Sequence, residues 1–105
     1  MSSYKLPWHI RQYVKRELMD YKDNKRLLET YEGDTRGLIL ANTRVAKIEK
    51  VLNTLNKEDR EAAEYIFIHK YTQAGAEIAK GISKAAYYNA MNKVIYMVAK
   101  EMELI

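Results

Sequence analysis

Gly81-Ile82-Ser83-Lys84-Ala85-Ala86-Tyr87-Tyr88-Asn89-Ala90-Met91-Asn92-Lys93-Val94-Ile95 is the stretch whose reading decides the fold. Gly81 readily takes the positive φ that ends a helix at its C′ position. Ser83 suits the N-cap of the next helix, where its hydroxyl accepts from an N–H two or three residues on. Ile82, between them, is an apolar plug. A helix, a short glycine turn and a serine-capped second helix outline a helix-turn-helix.

The second helix has two faces. Tyr87, Met91, Val94 and Val98 step by four, three and four, which predicts an inward stripe. Lys84, Tyr88 and Asn92 step by four on another face, with Ala85 and Asn89 beside them. These side chains suit a DNA groove: Asn pairs bidentately with adenine, Lys reaches guanine or phosphate, and Ala meets a thymine methyl. No Asp or Glu occurs from Ile78 to Lys100, whereas Lys80, Lys84, Lys93 and Lys100 do. A helix without acids is what a polyanion requires. The competing reading is an ordinary surface helix, since a Gly-x-Ser turn alone is common. The cap, the two faces and the missing acids together favour DNA. Asn89 and Asn92 are then the expected base readers, with Lys84 on guanine or phosphate. Ser83, Ala85 and Tyr88 complete the face, and Thr72, Gln73, Lys80 and Lys93 are expected on the backbone.

Working outward, 105 residues are enough for one small core. The chain has 18 basic and 14 acidic residues, a net charge of +4, which is compatible with nucleic acid and does not demand it. There is no cysteine, so disulfides and thiolate metal sites are excluded and a reducing compartment is expected. No apolar run approaches the roughly 18 residues of a membrane span, and Met1-Ser2-Ser3-Tyr4-Lys5 lacks the apolar core of a signal peptide. A cytoplasmic protein with no membrane partner is expected.

One proline and four glycines predict an all-α chain. From Pro7 to Tyr31 nothing breaks a helix, and Ile10, Val14, Leu18, Tyr21, Leu28 and Tyr31 share a face. At about 36 Å such a helix needs a partner helix to cover its stripe. Residues 32–37, with Gly33, Asp34 and Gly37, read as a loop. Leu38, Ala41, Val45, Ile48, Leu52 and Leu55 then form the cleanest heptad seam, expected to close an antiparallel hairpin on the first helix, with a dimer zipper as the alternative. Asn56-Lys57-Glu58-Asp59 reads as a capped start with acids in the first turn. The helix to Tyr71 should bury Ala62, Ala63, Ile66, Phe67 and Tyr71. Thr72 should cap a short helix, 73–80, with Ala76 and Ala79 inward, and the last helix should span 84–103. The chain thus divides into a helical hairpin over 1–55, for interaction or dimerisation, and a three-helix DNA-binding domain over 56–105.

Catalytic motifs are absent. There is no phosphate loop and no Gly-flanked nucleophile. His9 and His69 stand far apart without an obvious carboxylate, so both read as surface or core-edge imidazoles. Glu58, Asp59, Glu61 and Glu64 read as a helix N-terminus rather than a metal site. Met91, Met97 and Met102 read as core filling. No enzyme, cofactor or metal is expected.

From Leu52 onward a family pattern emerges. Leu55-Asn56-Lys57-Glu58-Asp59-Arg60-Glu61, the apolar helix to Tyr71, and Gly81-Ile82-Ser83-Lys84-Ala85-Ala86-Tyr87-Tyr88 resemble the DNA-reading C-terminal domain of bacterial sigma factors. More narrowly, the chain resembles the small phage late-operon transcriptional regulators of the RinA and ArpU type. Its Ile10-Arg11-Gln12-Tyr13-Val14-Lys15-Arg16-Glu17-Leu18-Met19-Asp20-Tyr21 is similar to their charged N-terminal segment. The resemblance implies sequence-specific binding of double-stranded DNA near a late promoter in a bacterial host cell. It also implies activation of late genes through host RNA polymerase. The chain departs from the family in two ways: Ile78-Ala79 stands closer to Gly81, and the last helix has no arginine. A homodimer is expected from the apolar surface of the first helix and of Met102-Glu103-Leu104-Ile105. A helical adaptor that binds polymerase or another regulator without DNA, and a phage DNA-packaging small subunit, are the alternatives.

Overall fold

The computed structural model describes residues 4–30 and 36–105, and for residues 36–41 the backbone only. Among the described residues every regular element is a helix: α1 (Trp8–Met19), α2 (Tyr21–Thr30), α3 (Arg36–Thr54), α4 (Lys57–Ala63), α5 (Gln73–Lys80) and α6 (Lys84–Glu101). The all-α class expected from composition is what the chain adopts.

The expected helix 7–31 is two helices. Asp20, at φ −87° and ψ −5°, sits at the edge of the right-handed helical region and separates the two. No Pro or Gly marks the break, and the backbone bonds nearly continue across it: Asp20 N–H donates to the Arg16 carbonyl at 2.9 Å and Asn24 N–H to that of Asp20 at 2.9 Å. The bend solves the coverage problem of a long amphipathic rod. α1 lies against α6, and α2 lies against α3. There Tyr21 and Lys25 both reach Glu49, at 3.0 Å each. Tyr31 and residues 32–35 of the expected loop lie outside the described residues. Arg36 and Gly37, expected in that loop, are the first residues of α3.

Of the heptad seam, Val45, Ile48 and Leu52 are buried and Leu55 packs on the core edge; the Leu38 and Ala41 side chains lie outside the described residues. Val14 and Leu18 of α1, Ile48 of α3, Ile66, and Val94, Ile95 and Val98 of α6 are fully enclosed in one cluster. Each contributes about 1.5–3 kcal/mol by leaving water. α6 is the element that α1, α3, α4 and α5 all touch.

α4 does not run on to Tyr71 as one α-helix. From Glu64 to Ile68 it widens into a π-turn, with His69 N–H donating to the Glu64 carbonyl at 2.9 Å. Lys70 then takes φ 56° and Tyr71 N–H closes on the Tyr65 carbonyl at 2.9 Å. A non-glycine residue in the left-handed region is uncommon, and no sequence signal announced this stop. Ala63, Ile66 and Phe67 are buried as expected, and Ala62 and Tyr71 are half-buried. Ala76 of α5 is buried, but Ala79 is exposed, because α5 is only eight residues long and meets the core along one narrow line. α6 ends at Glu101 rather than 103. Glu103 adopts φ 58°, and Leu104 N–H reaches back to the Ala99 carbonyl at 2.9 Å, which closes the helix in a Schellman turn.

Candidate nucleic-acid interface

The turn between α5 and α6 is built by local chemistry. Thr72 Oγ1 accepts from Gly75 N–H at 3.0 Å and starts α5. Gly81 ends it at φ 67°, with its own N–H donating to the Glu77 carbonyl at 3.0 Å and Ile82 N–H reaching the Ala76 carbonyl at 3.4 Å. Ser83 Oγ accepts from Ala86 N–H at 3.1 Å and starts α6. Ile82 is half-buried and packs on the core as the plug between the two helices.

α6 has two different halves. From Ala90 to Ala99 its inner positions are buried. In the first two turns only Tyr87 is; Lys84, Ala85, Ala86, Tyr88 and Asn89 are exposed. The helix therefore projects its N-terminal turns out of the globule, and Asn92, half-buried, marks the transition. Tyr87 fixes the projection. Its hydroxyl donates to the Tyr71 carbonyl at 2.7 Å, and burial pushes the phenol above its ordinary value. Tyr88 stands edge-on to it, ring centroids 5.3 Å apart.

The ten residues expected at a DNA surface thus fall into groups. Lys84, Ala85, Tyr88, Asn89 and Asn92 share the protruding end of α6. Thr72 and Ser83 are exposed, and their side-chain oxygens are engaged as caps. Gln73 donates to Glu77 Oε2 at 2.9 Å. Lys80 extends its ammonium over the Tyr65 ring, 5.0 Å from the centroid. Lys93 binds Asp59 of α4 at 2.6 Å, and that carboxylate holds its ammonium above the usual lysine range. Nothing in the linear spacing pairs Lys93 with Asp59 or Lys80 with Tyr65, because the partners come from a different helix.

α4 also changes the electrostatics. An open groove of about 900 Å³ separates it from the turn and from the start of α6. Glu58, Asp59 and Glu61 line one wall; Ser83, Asn89 and Lys93 line the other. The acid-free N-terminal part of α6 therefore has an acidic neighbour on one flank. Among the described residues no group of His, Cys, Asp and Glu is arranged to hold a metal ion. His9 and His69 are exposed. Met91 is buried, and Met97 and Met102 pack on the core edge. No described helix is long and apolar enough to cross a membrane. Compared with family models, curated proteins and solved structures, the chain matches none.

Proposed function

We propose that the chain is a sequence-specific DNA-binding transcriptional regulator that presents the first turns of α6 to the major groove. The observation that carries this reading is the division of α6. Its C-terminal half is held in the core while Lys84, Ala85, Tyr88 and Asn89 stand clear of it. A recognition helix contacts base edges with its N-terminal residues in the same way, while the preceding helix crosses the backbone. On this reading Asn89 and Asn92 read bases, and Lys84 touches guanine or phosphate. Lys80 serves the backbone from α5. Activation of phage late genes through host RNA polymerase, and a homodimer placing two such helices on neighbouring grooves, belong to the same proposal.

The test is a titration of labelled duplexes, selected by the protein from a random pool, at low salt. Asn89→Ala should relax preference at one base position, costing about 1–3 kcal/mol. The double variant Lys84→Glu, Asn89→Ala should lose both affinity and preference. Equal binding by the native protein and the double variant refutes the reading. One observation favours an adaptor that binds protein instead. Ile78, on the outer face of α5, is 88% exposed, with Ala74 and Ala79 exposed beside it. Failure of the native protein to retain any duplex would move the function to that face.

A further inference from the structure

The first acidic residue of the chain is Glu17; before it stand Lys5, Arg11, Lys15 and Arg16. The structure gives this run a place. Trp8, Arg11 and Lys15 step by three and four along one flank of α1, and Gln12 and Arg16 follow on the outward side. Trp8 is 75% exposed and Tyr13 is also exposed. Indoles seldom face water without a partner, since each carries a large apolar area. Among the described residues no ion pair engages Lys15 or Arg16, and Glu17 is paired with Arg44 at 3.4 Å.

The flank lies next to the protruding half of α6. Arg11 Nη2 approaches Met91 Sδ at 3.9 Å, and Met91 is one turn from Tyr88 and adjacent to Asn92. The segment before α1 crosses the same helix further on, where Tyr4 packs on Tyr96 with ring centroids 5.4 Å apart. α1 therefore borders the outward row of α6 on the side away from the acids of α4. A duplex seated on α6 has acid on one flank and, on the other, the basic, aromatic Trp8–Arg16 segment of α1, which carries no acid.

We infer that the Trp8–Arg16 flank of α1 is a second DNA contact, gripping the phosphate backbone beside the groove that α6 enters. The inference rests on the proposed reading of α6. Cations beside an exposed aromatic ring match a sugar–phosphate backbone, in which charge alternates with apolar sugar. The contact carries no sequence information. It supplies the electrostatic grip that an arginine-free recognition helix lacks.

The experiment compares the native protein, the double variant Lys15→Gln, Arg16→Gln, the variant Trp8→Ala, and Lys84→Glu, Asn89→Ala. Each is titrated against a selected duplex and a random-sequence duplex between 50 and 200 mM salt. Each lost phosphate contact removes about 0.9 from the slope of log affinity against log salt. The Lys15, Arg16 double variant should therefore lose affinity for both duplexes alike. Its fall in affinity across that salt range should be about tenfold smaller than the native one, with sequence preference intact. Trp8→Ala should weaken both duplexes without changing the slope, and circular dichroism should stay native in both. Native slope and affinity in the α1 variants overturn the inference while leaving the α6 reading standing. Native binding by Lys84→Glu, Asn89→Ala together with loss in the α1 variants overturns the α6 reading and keeps the α1 contact. Absence of duplex binding by the native protein overturns both. Capture on vesicles of anionic phospholipid without duplex binding would assign the flank to a lipid surface and also overturn it.

Discussion

Replacing Tyr87 separates two contributions that the structure shows at one side chain. Its ring is 5% exposed within the core, and its hydroxyl donates to the Tyr71 carbonyl at 2.7 Å. Tyr87→Phe keeps the ring and removes the bond, leaving a partly buried carbonyl without that donor. The expected cost is about 1 kcal/mol, or roughly 4 °C in melting temperature for a domain of this size. Tyr87→Ala also empties the ring's volume and should cost about 3–5 kcal/mol. Tyr88→Ala is the control. That ring is 43% exposed and loses chiefly its edge-on contact with Tyr87, so about 1 kcal/mol is expected. Urea unfolding followed by circular dichroism measures all three, with the m-value confirming a two-state comparison. A larger loss from Tyr88→Ala than from Tyr87→Ala refutes the face assignment of α6. A Tyr87→Phe variant as stable as the native protein refutes the anchoring of the α5 loop by the hydroxyl.

Three further outcomes are expected. Gly81→Ala should cost about 1–2 kcal/mol in a thermal melt, through backbone conformation alone, because a Cβ there meets nothing within 4 Å; a native melting temperature would contradict the left-handed turn. A double-mutant cycle on Lys93 and Asp59 should give a coupling of less than about 1 kcal/mol, and Lys93→Gln should leave the salt slope of DNA binding unchanged, whereas a slope lowered by a full unit would return Lys93 to the phosphate set. Hydrogen bonding from Lys25, and next from Tyr21, holds the Glu49 carboxyl below its ordinary value of 4.5. Its contribution is therefore present above that value and lost as pH falls through the lowered one. Glu49→Gln should flatten the acid limb of stability against pH by less than about 1 kcal/mol, since the site is open to solvent; an unchanged acid limb would show that the triad contributes nothing.

The legible parts of this fold are the local ones. Asn56, Thr72 and Ser83 cap the helices they precede, each accepting from the N–H three residues on. Gly81 ends α5 because only a residue without Cβ takes its φ freely. These depend on a few consecutive residues, so the sequence shows them. The bend at Asp20 does not. It arises because the two ends of one apolar stripe pack on different partners, α6 and α3. The stops at Lys70 and Glu103 are hidden for a related reason: both side chains tolerate a positive φ that closing backbone bonds enforce. At the candidate interface, the protruding row of α6 could be read from spacing. The pairing of Lys93 and the acidic wall of α4 could not, since both involve residues more than twenty positions away in the chain.

The two-part character of α6 has a consequence for how its surface can change. Positions 84, 85, 88 and 89 are exposed, while the residues that keep the helix in place are Tyr87 and the buried positions from Ala90 onward. Substitutions at the four outer positions therefore touch little of the core and should stay within about 0.5 kcal/mol of neutral where no special contact is lost. The turns that carry them are already ordered, so a docking partner meets a surface whose conformational entropy was lost on folding rather than on association. Selectivity can drift, or be redesigned, by varying those few positions on an unaltered scaffold.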